Sequence, residues 1–145
     1  MIQDNQTDNT CWSRVGNQQN GIQLLELSDG CFNNRSVPHE LLHATGMYHE
    51  HTRPDRDDYV EIHQNCITPK NNVNFVVQKN SLTYNLDYNH RSIMHYSSGP
   101  NSCKSITSKV SHVSDQELGS NEGMTKLDYQ KIAKHYGCPD NCKYS

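Results

Sequence analysis

Apolar positions are thin along this chain, and their spacing sorts them into two strand-like runs and two helices. Trp12 to Val15 is a short β-prone run. Ile22, Leu24, Leu25 and Leu27 make a second one, closed by Ser28-Asp29-Gly30. A helix is predicted from Ser36 as N-cap, with Val37 and Pro38 in a first turn where a missing N–H costs nothing. Glu40 complements the helix dipole, Leu41, Leu42 and Ala44 continue the helix, and Gly46 is a natural left-handed stop. A second helix is predicted from Thr125, with Asp128 as capping-box partner, through Leu127, Ile132, Ala133 and Tyr136 to Gly137. Between the helices the signals fade. Residues 51–58 read as charged and irregular, 59–80 as ambiguous around Val73, Phe75, Val76 and Val77, and 97–123 as one long loop. No internal repeat is present.

Composition explains why so few elements announce themselves. Leu, Ile, Val and Phe make up only 26 of 145 residues, below the roughly 20% associated with disorder, but the high net charge that goes with disorder is missing. The length suits one domain. A net charge of −3 with no basic stretch removes the footprint of a nucleic-acid binder. No apolar run approaches the roughly 18 residues of a membrane span. A chain this poor in oil is expected to rely on covalent or metal staples, and it holds six cysteines and nine histidines. Cys11, Cys31, Cys66, Cys103, Cys138 and Cys142 include no C-x-x-C pair, which favours disulfides over a zinc ribbon or a thioredoxin-like site. Fifteen connectivities are open to six cysteines, and spacing does not choose among them. The sequons Asn5-Gln6-Thr7 and Asn34-Arg35-Ser36 add little. Residues 1–10 form a polar tail without the basic start and apolar stretch of a secretory signal, so either the cysteines are reduced in a cytosolic protein or the true start has been cut away.

The chemistry concentrates in one string. In His39-Glu40-Leu41-Leu42-His43 the two histidines stand four apart on one helix face, where both imidazoles can reach a single metal ion. Glu40, one residue after the first, is set beside that ion and can take a proton from a metal-activated water. Gly46 lets the chain turn back so that His49 supplies a third ligand. Histidines scattered on a solvated helix are the bland alternative, and five fixed residues in eleven argue against it. Ser92-Ile93-Met94-His95-Tyr96 follows at the distance where metzincins place a tight turn with Met beneath the metal.

His39 to Asp57 reads HExxHxxGxxHExxRxDRD without a mismatch, and with the Met94 segment it resembles the astacin family of zinc endopeptidases over roughly residues 11–138. The resemblance implies an α+β, metzincin-like domain with an incomplete N-terminal sheet, an active-site helix, a Met-turn and a C-terminal helix. It divides the chain into a polar tail at 1–10, a catalytic domain at 11–142 that starts part-way into the family domain, and a tail at 143–145. It further implies that His39, His43 and His49 ligate one zinc ion, that Glu40 is the general acid/base, and that Tyr96 is an extra ligand which swings off to stabilise the oxyanion. Glu50 would lie near a buried N-terminal amine. Cys11 and Cys31 would pair, closing a loop of about 20 residues worth roughly 3 kcal/mol. Cys11 to Val15 would be the edge strand that binds substrate backbone, and Lys104 or Lys109 could supply a basic residue for an acidic side chain after the cleaved bond. The expected activity is endoproteolysis of protein or peptide substrates by a secreted, extracellular enzyme. A zinc-binding remnant that acts as a decoy, and an intracellular metal-binding protein, are the alternatives.

Overall fold

A computed structural model describes residues 2–3, 10–119 and 122–139. Three short strands, β1 (Ile2–Gln3), β2 (Cys11–Ser13) and β3 (Leu25–Leu27), form a sheet in the order β1-β3-β2, with β1 parallel and β2 antiparallel to β3. Of the β-prone run read at 22–27, Leu25 and Leu27 are buried on either side of Glu26, but Ile22 and Leu24 stay exposed outside the strand. Cys11 faces Leu27 in the register and is bonded to Cys31, which ties the edge strand to the turn before the first helix.

That helix, α1 (Ser36–Ala44), starts differently from the sequence reading. Ser36 is already helical, and Asn33 supplies the cap: its Oδ1 accepts the N–H of Ser36 at 2.7 Å and of Arg35 at 3.0 Å, while its Nδ2 donates to Ser36 Oγ. Asn33→Ala is therefore expected to cost about 1 kcal/mol of stability in chemical denaturation, and Ser36→Ala distinctly less. The helix ends as read. Gly46 adopts φ +105°, its N–H returns to His43 O, and Met47 N–H returns to Leu42 O, which is a Schellman closure with Met47 packed on Leu42. Val37 and Ala44 pack on the sheet with Leu25, Leu27 and Cys31, while Leu42 turns toward Met47, Ile93, Met94 and Ile132.

The second half is built on a two-stranded sheet, β4 (Val60–Ile62) antiparallel to β5 (Ile106–Ser108). Residues 97–123 are therefore not one loop: they contain β5 and a 3-10 turn at Asp115–Glu117 with its own capping box from Ser114. A three-residue strand with one apolar residue leaves no period to read. Of the apolar cluster at 73–77, Phe75 is buried with Val60, Ile67, Tyr88, Ile106 and Leu118, whereas Val73 and Val76 are exposed. A second disulfide, Cys66–Cys103, staples the turn after β4 to the segment before β5. Helix α2 (Lys126–His135) has the capping box read from Thr125 and Asp128 and a Schellman end at Gly137. Among the described residues Cys138 is free and exposed, and Cys142 lies outside them. No helix among the described residues is long and apolar enough to cross a membrane.

Candidate metal centre

The fold brings His39, His43 and His49 together. Their Nε2 atoms converge, with His49 lying 3.2 Å from His39 and 3.1 Å from His43, and the three rings offer one nitrogen each within 4.8 Å of one another. Helix geometry places His39 and His43 one turn apart, and the bend at Gly46 returns His49 to the same side. The outer nitrogens are already engaged. His39 Nδ1–H donates to Ile93 O at 2.8 Å and His43 Nδ1–H to Met47 O at 2.7 Å, which leaves both Nε2 lone pairs pointing inward. Burial holds all three imidazoles neutral: desolvation first, then the neighbouring imidazole and Arg35, bring His39 down to about 4, and His43 and His49 are lowered as well. Three neutral, converging, pre-oriented imidazoles are a donor set suited to a borderline transition metal such as zinc.

Glu40 completes the group. It is 6% exposed, its Oε2 has no hydrogen-bond partner, and the backbone of Ser13 in β2 hydrogen-bonds to the carboxylate. Desolvation pushes its carboxyl up to about 7, against that bond. A buried carboxylate oxygen without a partner, one residue along α1 from His39, fits a cation and its water.

The turn beneath the histidines is held from α2. Asp128, the capping-box residue, accepts the Ser92 hydroxyl through Oδ1 and the N–H of Ile93 and Thr125 through Oδ2. That grip fixes the Ile93 carbonyl that orients His39. Met94 is 3% exposed on the floor, and the Tyr96 ring lies 4.6 Å from the His49 ring, centroid to centroid. Behind Tyr96 the chain passes so closely at Gly119 (φ +67°) that a Cβ there would lie 2.4 Å from His95 O. Arg35, at the entrance of α1, donates to Gly119 O and His95 O and locks the two segments.

A family model described as Astacin, a peptidase family, matches residues 2–137. The chain belongs to the astacin family. Astacin relatives include zinc metalloproteinase nas-23 of Caenorhabditis elegans, 37% identical over 139 residues that cover 92% of this chain and 26% of that protein. The astacin-like metalloendopeptidase of Gallus gallus is 36% identical over 132 residues, 88% of this chain and 32% of that one. Among solved structures, high choriolytic enzyme 1, a hatching enzyme zinc-protease from the medaka Oryzias latipes, superposes with a TM-score of 0.79 at 32% identity, over 95% of this chain and 69% of that one. The chain thus spans about a quarter to a third of the curated relatives' length.

Other residues singled out from the sequence fall elsewhere. Lys104 is paired with Asp115 at 2.8 Å and Lys109 donates to Asp57 O at 2.6 Å, so both ammonium groups are engaged away from the histidines. Glu50 is fully buried and meets Arg53 and the ammonium of Lys131 on α2; Met1 lies outside the described residues. Two groups given no site role by the sequence belong to the centre's surroundings: Asp128, visible beforehand only as a helix cap, and His51, lying inside the motif string.

Proposed function

We propose that the protein is a zinc-dependent endopeptidase in which His39, His43 and His49 hold one zinc ion. The observation that carries this reading is the convergence of three neutral Nε2 atoms, with an unpartnered, buried Glu40 Oε2 on the same helix. Zinc, when bound, supplies a Lewis acid that acidifies water and polarises a carbonyl. Glu40 takes a proton from the attacking water at Oε2 and later returns it to the leaving amine nitrogen. Its bond to the backbone of Ser13 ties the carboxylate to β2. Tyr96, anchored on the Met94 turn, donates its phenolic O–H to the carbonyl oxygen as negative charge builds there. Among the described residues β2 pairs on one side only, so its outer edge is available to an extended peptide, which would lay its scissile bond beside Glu40. The two disulfides support folding in an oxidising compartment and hence a secreted protein.

A fluorogenic peptide assay on zinc-loaded protein tests this, with and without o-phenanthroline. Cleavage is expected, lost with the chelator and restored by added zinc; absence of chelator-sensitive cleavage from folded, loaded protein overturns the reading. Removal of zinc is also expected to lower the thermal midpoint, because a ligand present at a thousand times its Kd stabilises by about 4 kcal/mol. A midpoint indifferent to zinc would remove the metal from the fold.

A further inference from the structure

His51 lies against both His49 of the triad and Tyr96 and has no place in the mechanism above. Its side chain is fully buried. Its ring packs against Tyr96 with centroids 4.2 Å apart and planes tilted by 33°, and stacks on His49 at 5.3 Å and 27°. Phe75 closes the pocket at 5.3 Å. The imidazole cannot slide: Nε2–H donates to Asn74 O at 3.0 Å, and Nδ1 faces the N–H of Tyr96 at 3.4 Å. Arg56 adds a clamp by donating to both His51 O and Phe75 O. One ring therefore touches a candidate ligand and the candidate oxyanion donor, and a carbonyl from a separate segment fixes it in place.

We infer that His51 is a positioning residue: its imidazole is a flat spacer that holds the Tyr96 ring beside the triad. This rests on the reading that Tyr96 attends the metal. A flat buried ring packed this closely limits how far the neighbouring phenol can turn, and partners one layer behind a metal site typically change its performance by about 10–100-fold when removed. A side chain present only to fill space would change stability without changing what Tyr96 does.

Two measurements decide it. In copper-loaded wild-type protein, Tyr96 held near the ion is expected to give a visible phenolate-to-copper charge-transfer band. His51→Asn, too short to stack, is expected to lose that band while the three histidines still bind copper, and to lower kcat by about 10–100-fold with KM nearly unchanged. His51→Phe, which keeps a flat ring, is expected to retain the band. An Asn variant that keeps both the band and the wild-type kcat overturns the inference, as does loss of copper and band together in both variants. Should the variants not fold, nitrogen NMR of the wild-type imidazole decides: the Nε2–H tautomer, with Nδ1 unprotonated toward the Tyr96 N–H, supports it, and an Nδ1–H tautomer overturns it. Neither the copper band nor the tautomer needs peptide cleavage, so a protein that shows both but cleaves nothing would sink the peptidase reading and leave this one standing.

Discussion

Glu40→Gln is expected to lower kcat for peptide hydrolysis by about 10²–10⁴-fold, with zinc content and folding retained. Gln has nearly the volume of Glu and keeps an oxygen for the hydrogen bond from the Ser13 backbone. It cannot, however, take up a proton from water at pH 7. The group is buried, its Oε2 has no hydrogen-bond partner, and among the described residues no carboxylate joins the three-histidine group to substitute for it. The measurement is kcat and KM on a fluorogenic peptide, with metal content by atomic absorption on the same sample. A Gln variant that cleaves at the wild-type rate would remove Glu40 from the chemistry. A wild-type protein that holds zinc but cleaves no better than its Gln variant would favour the decoy reading instead. His39 and His43 keep their bonds to Ile93 O and Met47 O in either case, which is why the metal is expected to stay.

The centre is legible in the sequence because its geometry is local. His39 and His43 need only a helix, His49 needs only the bend at Gly46, and the Thr125–Asp128 cap is written in four consecutive residues. What the sequence hides is what forms between distant segments. Ile93 O and Asp128 orient the site through contacts across segments, Ile93 O to His39 and Asp128 to the N–H of Ile93, which the turn and capping-box motifs they belong to do not announce. Strand β5 is invisible because one buried residue, Ile106, has no neighbours to make a period with. The start of α1 is ambiguous in sequence because Asn33 and Ser36 are both good capping residues three apart, and only the backbone turn decides between them. The shortage of apolar residues has an explanation that composition does not show. Around the centre the interior is filled by hydrogen-bonded polar groups, with Glu50, His51, Thr52, Arg53, Ser92 and His95 all 3% exposed or less. Such a core is built from satisfied networks, and its weak points are the charges within it.

The sharpest of these is Glu50, and Glu50→Gln is expected to cost about 3–5 kcal/mol of folding stability. One carboxylate oxygen accepts Arg53 Nη1 and the N–H of Asn89, each at 3.0 Å, and the other accepts the ammonium of Lys131. Arg53 keeps Asp55 when Glu50 is neutralised, but Lys131, with its side chain 13% exposed, loses its carboxylate partner. Against a total stability of about 5–15 kcal/mol, that loss would lower the melting midpoint by on the order of 10 °C. The damage should also reach the metal, because the residue before Glu50 is His49 and the N–H of Glu50 is bonded to Met94 O on the turn beneath. Removing both partners is a different matter: in Glu50→Gln with Lys131→Met no stranded cation remains, so the double variant should recover much of the loss. Thermal melts of the four proteins in this cycle give the coupling directly. If Lys131→Met fails to rescue Glu50→Gln, the stranded ammonium is not the source of the cost, and the bonds to Arg53 and Asn89 must carry it instead.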